Sequence, residues 1–312
     1  GFASTLLACL EKANNYCPVM LASSIQASLM GRFADSEYGK SKLAGEQLFF
    51  EYGERTGAKI LVYRFPNLYG KWCKPNYNSA VATFCNGIAN DIPITVNDPD
   101  VELDLLYIDD LVNELLNALI GCEAREGNYC IARPVDTVSL GEIVAMLNGF
   151  KNARQDISIP DVTQGSFSKK LYSTYQSYLP ADAMSYSLET HKDERGSFTE
   201  LLHTPDRGQV SINVSKPGIT KGQHWHNTKW EKFCVISGRG LIRLRRVGVA
   251  DDGCQYPIHE FEVSGDEPTV VEMLPGYTHS ITNLSEDHDL VTVMWCNEVF
   301  NPANSDTYFE EV

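Results

Sequence analysis

The stretch GITKGQHWHNTKWEKFCVISG, residues 218–238, decides the reading of this chain. It carries His224 and His226 two positions apart, then Glu231, then an apolar alternation through Phe233 and Val235. In a strand, residues i and i+2 share a face, so both histidines point the same way. Five positions separate His226 from Glu231, an odd step that would reverse the face of one continuous strand. A turn over residues 227–230 must therefore intervene, and Glu231 opens the next inward-facing row with Phe233 and Val235. Farther on, PGYTHSITN at residues 275–283 brings His279 from another strand and closes the set. Three imidazoles and one carboxylate suit a divalent transition metal and leave room for a water or substrate oxygen. Zinc, iron, manganese and nickel all remain open from spacing. The competing reading is a metal-free barrel in which these are ordinary surface or core histidines. His191, His203, His259 and His288 have no matching spacing and read as structural or solvated.

Around this stretch, VSINVS, EKFCVIS, LIRLRR, HEFEV and LVTVMW are short strands separated by Gly, Pro and Asp turns. They predict an all-β sandwich or barrel. Upstream the period changes. Residues 5–13 read as helix, and PVMLA at 18–22 as a short buried strand ending at Ser23-Ser24. A long helix follows over 38–56, a strand over 59–64, a helix over 109–121 and a strand over 128–131. Such alternation implies an α/β fold with a parallel sheet. Residues 152–187 are mixed and contain Ile159-Pro160-Asp161 and Leu179-Pro180. The domain boundary is placed near Met184, giving domains 1–184 and 185–312.

Two domains also suit the length of 312 residues. The formal net charge of -15 repels nucleic acid and anionic membrane surfaces, so neither is an expected partner. The nine cysteines show no CxxC spacing, which reads as reduced thiols in the cytoplasm. No apolar run approaches the ~20 residues of a membrane span, and no signal peptide is recognisable. The sequence opens at Gly1 on what looks like the body of an uncapped helix, and is expected to be a fragment beginning inside a domain.

Tyr38-Gly-Lys-Ser-Lys42 places Tyr38 and Lys42 one helical turn apart on a shared face. Alone, this spacing is as readily an exposed helix pair. Its context is Ser24 after a buried strand, RFPNLYG at 64–70 after the next strand, and LLYIDD at 105–110. This order resembles the extended short-chain dehydrogenases/reductases that act on nucleotide sugars. The resemblance implies that Tyr38 donates a proton to a carbonyl, that Lys42 lowers its pKa and holds the nicotinamide ribose, and that Ser24 hydrogen-bonds the reacting oxygen. It puts Asn67 against the sugar nucleotide. The family's glycine-rich phosphate loop, GxGxxG or GxxGxxG, occurs nowhere in the chain. The first half is therefore expected to be an incomplete Rossmann-like layer, with apolar surface exposed and NADPH binding doubtful in this fragment.

Residues 218–238 and 275–283 are similar to the two cupin motifs, except that Pro275 and Gly276 are adjacent where the family usually has an intervening residue. The resemblance implies a cupin (double-stranded β-helix or jelly-roll) barrel. DERGSFTE, with Asp193, Arg195, Gly196, Phe198 and Glu200, is similar to the dTDP-sugar 3,5-epimerases and makes Arg195 a candidate substrate contact. A reductase followed by a cupin, together with DERGSFTELL, residues 208–233 and the closing NPANSDTYFEEV, resembles the CapF-type bifunctional enzymes of bacterial capsular polysaccharide synthesis. That resemblance implies a zinc cupin that epimerises C3 of a UDP-2-acetamido-2,6-dideoxy-4-hexulose. A reductase domain then reduces the C4 ketone with NADPH, giving UDP-N-acetyl-6-deoxy-L-talosamine on the route to N-acetyl-L-fucosamine. A C3 proton beside a C4 ketone is acidic only if the enediolate is stabilised, which a metal can do. Lys221, Lys229, Tyr277 and the neighbours of His279 are open candidates for the proton carrier. The expected partners are a UDP-sugar substrate and a second copy in a homodimer. The alternatives are a non-catalytic sugar- or metal-binding cupin beside a dead reductase remnant, and an iron-dependent cupin dioxygenase.

Overall fold

The structure is a computed structural model that describes residues 1–204 and 206–312. The chain forms two compact units, Gly1–Lys151 with Asp161–Asp182, and Asn152–Pro160 with Ala183–Val312.

The first unit is a Rossmann-like α/β layer. Its elements are α1 (Phe2–Lys12), β1 (Val19–Ser24), α2 (Glu37–Thr56), β2 (Ile60–Phe65), β3 (Asn67–Tyr69), α3 (Ala80–Ala89), β4 (Glu102–Tyr107), α4 (Ile108–Leu119), β5 (Arg125–Glu126), β6 (Tyr129–Cys130), β7 (Val135–Ser139), α5 (Leu140–Gln155) and α6 (Phe167–Gln176). One sheet has the order β1-β2-β6-β5, with β1, β2 and β6 parallel. Residues alternate faces along β2. Val62 packs with Leu7, Val19, Phe49 and Tyr52 on the α1/α2 side, whereas Leu61 and Tyr63 pack with Cys130, Leu115 and Ala118 on the α4 side. A smaller sheet, β3-β4-β7, shares a core with α3, α5 and α6 that includes Tyr69, Phe84, Leu105, Leu147, Leu171 and Tyr175. Helix α6 lies within the residues that read as mixed in sequence. Its run FSKKLYSTYQ has few apolar positions, yet it buries Leu171 and Tyr175.

The second unit is built from strands. They are β8 (Thr190–Asp193), β9 (Gly196–Thr204), β10 (Gly208–Ser215), β11 (Thr220–Trp225), β12 (Glu231–Ser237), β13 (Arg239–Arg246), β14 (Ile258–Ser264), β15 (Val270–Met273), β16 (Tyr277–Asn283), β17 (Leu290–Cys296) and β18 (Tyr308–Phe309). They form a sheet β15-β12-β17-β10-β9-β8 and a sheet β14-β13-β16-β11-β18, with antiparallel pairings throughout. The two sheets share one core. Phe233, Val235, Val271, Met273 and Leu290 come from the first, and Ile242, Leu244, Val263 and Ile281 from the second. The expected turn between His226 and Glu231 is present, and Glu231, Phe233 and Val235 form one buried row on β12.

Candidate functional site

Four side chains from both sheets of the second unit converge. His224 comes from β11, His279 from the adjacent register position on β16, Glu231 from the start of β12, and His226 from the turn just after β11. Local backbone makes this possible. Gly222 has φ +94°, and a Cβ there would lie 2.7 Å from the His279 carbonyl oxygen, so only glycine allows the approach of β11 to β16. The ladder bulges between Gly222 and His224, which aims the histidine inward. The adjacency of Pro275 and Gly276 does not displace His279. The turn is hooked to the first motif, with Gly276 N–H donating to the His226 carbonyl at 2.8 Å.

One potential ligand atom from each of His224, His226, Glu231 and His279 lies within 4.8 Å of the other three. Glu231 Oε2 is 3.4 Å from both His226 Nε2 and His279 Nε2. Ligands about 2.1 Å from a tetrahedral metal are about 3.4 Å apart. His226 Nε2, Glu231 Oε2 and both ring nitrogens of His279 are buried without a hydrogen-bond partner. Orphaned buried polar atoms are costly unless something binds them, so this donor set fits a divalent cation. Burial, followed by repulsion from His279 and His226, lowers the His224 pKa to about 4 and keeps that ring neutral. Burial works against the charge on Glu231, but His226 and His279 outweigh it and hold the carboxyl well below its ordinary range.

A cavity of about 220 Å³ opens beside this cluster, with His224 and Glu231 in its wall. Its other walls include Glu200, Gln209, Ser211, Lys229 and Glu298. Of the three numbered candidates for the proton carrier, only Lys229 lines it. Lys221 instead donates to Asn213 Oδ1 and the Val214 carbonyl, and Tyr277 lines a separate groove. Arg195 sits at the β8–β9 turn, bound through Nε and Nη2 to Asp193 at 2.9 and 2.7 Å, and the lining of this cavity does not include it. Of the other histidines, His191, His259 and His288 are exposed, and His203 is partly buried on β9.

In the first unit, Ser24 caps a short turn over Ile25–Ser28, its Oγ accepting from Gln26 N–H at 3.3 Å. Helix α2 starts against that turn. Ser36 caps the helix and donates to Gln26 Oε1 at 2.8 Å, and a Cβ on Gly39 would lie 2.3 Å from the Gln26 carbonyl oxygen. Gly39 therefore lets the first turn of α2, with its neighbour Tyr38, press onto the segment that follows Ser24. Tyr38 is exposed, and Lys42 Nζ lies 5.4 Å from its ring while donating to the Ala22 carbonyl at 3.0 Å. Buried Glu46 anchors the arrangement from the same helix, receiving Ser23 Oγ–H at 2.5 Å and Arg64 Nη2 at 2.5 Å. Asn67 is exposed on β3 and donates to the Asp104 carbonyl at 3.3 Å. A cavity of about 650 Å³ at the carboxyl ends of β2 and β6 is lined by Ile25, Arg64, Pro66, Asp104, Tyr129 and Arg133, among others. Ligands of parallel α/β sheets bind at such strand ends.

Residues 25–132 match the NAD dependent epimerase/dehydratase family, and residues 191–308 match the family described as polysaccharide biosynthesis C-terminal domain. A relative from Pseudomonas aeruginosa, UDP-2-acetamido-2,6-beta-L-arabino-hexul-4-ose reductase, is 40% identical over 291 residues, 93% of this chain and 74% of that protein. The crystal structure of the capsular polysaccharide assembling protein CapF from Staphylococcus aureus is 50% identical and aligns with a TM-score of 0.90, over 100% of this chain and 81% of that one. The chain belongs to the CapF family. A CapF structure with the inhibitor 3-isopropenyl-tropolone is similar at 48% identity and a TM-score of 0.87, over 100% of this chain and 84% of that one.

Two features of this CapF-family chain escape its sequence motifs. Strand β10 turns the polar residues Gln209, Ser211, Asn213 and Ser215 inward, and the first two reach the cavity. Alternation shows that one row faces in, but not which one. Asp306 and Thr307 reach His226, and Phe309 pairs with His224, and nothing near them in sequence signals it. Among the described residues no helix is long and apolar enough to cross a membrane.

Proposed function

We propose that the second unit is a metal-dependent cupin that epimerises C3 of a UDP-2-acetamido-2,6-dideoxy-4-hexulose. In the same reading the first unit reduces the C4 ketone, giving UDP-N-acetyl-6-deoxy-L-talosamine for capsule synthesis. The observation that carries the reading is the convergence of three imidazoles and one carboxylate, with orphaned donor atoms, beside a cavity whose wall includes His224 and Glu231. His224, His226, Glu231 and His279 would hold a divalent cation, zinc by the family resemblance, and when bound it would supply Lewis-acid polarisation of a substrate oxygen. The cavity's own acid–base groups, Lys229 Nζ and the Glu200 carboxylate, are the candidates to carry the C3 proton.

For the reduction, Tyr38 Oη is the proton donor to the C4 oxygen, Ser24 Oγ steadies that oxygen, and Lys42 holds the nicotinamide ribose. Asn67 contacts the sugar nucleotide, and Arg195, at the β8–β9 turn of the second unit, is a substrate contact outside the cavity beside the histidine cluster. The tie from Lys42 to the Ala22 carbonyl and its approach to the Tyr38 ring suit this pair. The reduction uses NADPH, and the glycine-rich loop that holds its phosphates in the resembling family is not among these 312 residues. The reading also includes a homodimer and a cytoplasmic setting, which suits nine free thiols.

The test is to incubate the UDP-4-hexulose with metal-loaded protein in deuterated water and follow deuterium into C3 by NMR. Exchange that is lost in His279→Ala and intact in Tyr38→Phe supports the assignment. Exchange that survives loss of His279, or that depends on Tyr38, means the half-reactions belong to the opposite units.

A further inference from the structure

We infer that residues 306–312 complete the metal centre from outside, with Asp306 as the positioning residue for His226 and for the turn that leads to Glu231. The inference rests on the metal reading above, though not on the epimerase reading.

The segment is tied to the sheet that supplies two of the histidines. Strand β18 pairs with β11, setting Phe309 opposite His224 and Tyr308 opposite Trp225. The Trp225 and Tyr308 rings stack with centroids 4.6 Å apart. Beyond them, Glu310 N–H donates to the Gln223 carbonyl at 3.1 Å and Val312 N–H to Gln223 Oε1 at 2.9 Å. Buried Arg245 donates to Glu310 Oε1 at 2.9 Å and to the Glu311 carbonyl at 2.7 Å, and the Thr278 hydroxyl donates to the Glu310 carbonyl. Gln223 itself has φ +63°, inside the bulge that aims His224.

Asp306 stands where this strap meets the cluster, and it makes two different kinds of contact. Its backbone carbonyl lies 2.5 Å from His226 Nδ1. A carbonyl only accepts, so in the neutral ring the proton sits on Nδ1 and Nε2 keeps its lone pair. Nε2 is the buried, unpartnered nitrogen that faces Glu231 Oε2 at 3.4 Å. The contact therefore sets both the tautomer and the orientation a ligand needs. The Asp306 carboxylate meanwhile gathers the turn after His226. Oδ1 accepts from Asn227 N–H at 2.9 Å, and Oδ2 accepts from Thr228 N–H at 2.7 Å and Lys229 N–H at 2.9 Å. The Thr228 hydroxyl adds a fourth donor at 3.2 Å. Three successive backbone N–H groups on one carboxylate fix the turn that sets the distance between His226 and Glu231. Burial opposes the charge on Asp306, but the N–H donors of Thr228, Lys229 and Asn227 outweigh it and hold its pKa at about 2. Thr307 continues the contact by lining the cavity and accepting from Lys229 Nζ at 3.4 Å.

Outer partners that orient ligand histidines typically change metal affinity by about 10- to 100-fold when removed. The experiment measures Zn(II) affinity of the full chain by chelator competition, and the Co(II) ligand-field spectrum, for wild type, Asp306→Asn, Asp306→Ala and Glu310→Gln. Circular dichroism establishes that each is folded. Asn keeps the size of the side chain but presents an amide to N–H donors. Glu310→Gln loosens the strap at its far anchor and leaves Asp306 intact. Both Asp306 variants keep the backbone carbonyl that meets His226 and disrupt the carboxylate that holds the turn and that carbonyl in place, so the expected result is Zn(II) binding weakened about 10- to 100-fold, with an altered Co(II) spectrum, and within about threefold of wild type in Glu310→Gln. Unchanged affinity and spectrum in both Asp306 variants overturns the inference and leaves the metal reading standing. Equal losses in Glu310→Gln and Asp306→Ala also overturn it, because any loosening of the strap then suffices. A wild-type chain that binds no Zn(II) overturns both.

Discussion

Replacing His279 by alanine separates a metal ligand from an ordinary core histidine, because the two roles predict opposite energetics. The side chain is 1% exposed and packs edge-on to Phe233 at 5.9 Å and to His224 at 4.6 Å. Truncating a buried side chain of this size costs about 3 kcal/mol in lost contacts and cavity. Against that, both ring nitrogens of His279 are buried without partners. Deleting two such atoms recovers about 1–3 kcal/mol each. The two effects nearly offset, so metal-free His279→Ala should unfold within about 2 kcal/mol of wild type. The metal-bound protein should behave otherwise. Four-ligand sites bind with about 10–16 kcal/mol, so one ligand accounts for about 3 kcal/mol, roughly two decades of affinity. At a metal concentration 100-fold above the wild-type dissociation constant, the variant should lose about 2 kcal/mol of metal-linked stability. The assay is urea unfolding with metal and with excess chelator, alongside chelator competition. A variant that loses several kcal/mol without metal and binds metal as wild type does would refute the reasoning.

Three further variants give four outcomes. Glu46→Gln should destabilise the first unit by about 3 kcal/mol, since it strips partly buried Arg64 and buried Ser23 of their anion; urea unfolding reads it. Burial raises the Glu46 pKa, but Arg64 and Ser23 outweigh it and leave it depressed, so its contribution is present above the unfolded carboxyl pKa and is lost as pH falls through the folded one. Wild type should therefore lose more stability than Glu46→Gln on that acid limb, seen in unfolding curves taken at successive pH values. Gly39→Ala places a Cβ 2.3 Å from the Gln26 carbonyl oxygen and should cost about 2 kcal/mol as α2 is pushed from the turn after Ser24, measured by denaturant unfolding. Gly222→Ala meets the His279 carbonyl oxygen at 2.7 Å in a left-handed conformation, and should weaken Zn(II) binding about tenfold or more in chelator competition.

The parts legible in sequence are those governed by short-range period. His224 and His226 share a face because strands repeat every two residues, and the odd step to Glu231 demands the turn that the structure contains. The α/β alternation likewise predicts a parallel sheet, and β1, β2 and β6 supply it. What stays hidden depends on tertiary approach. Asp306 lies 80 positions from the histidine it orients, in a segment with no ligand pattern of its own. Glu46 sits among exposed charges on α2, and only the fold brings Ser23 and Arg64 to it. The bulge at Gly222 is a backbone event, and a glycine in a strand pattern does not say which neighbour will press against it. Lys221 and Lys229 are equivalent candidates on paper, and only the direction of each side chain separates them.

The central claim, a metal held by three imidazoles and one carboxylate, is tested most directly by X-ray absorption at the zinc edge on the full chain reconstituted with one equivalent of Zn(II). The account predicts a first shell of nitrogen and oxygen at about 2.0–2.2 Å, with imidazole outer-shell scattering that diminishes in His279→Ala. A shell of sulfur near about 2.3 Å would put the metal on some of the nine free cysteines instead, and would contradict the account.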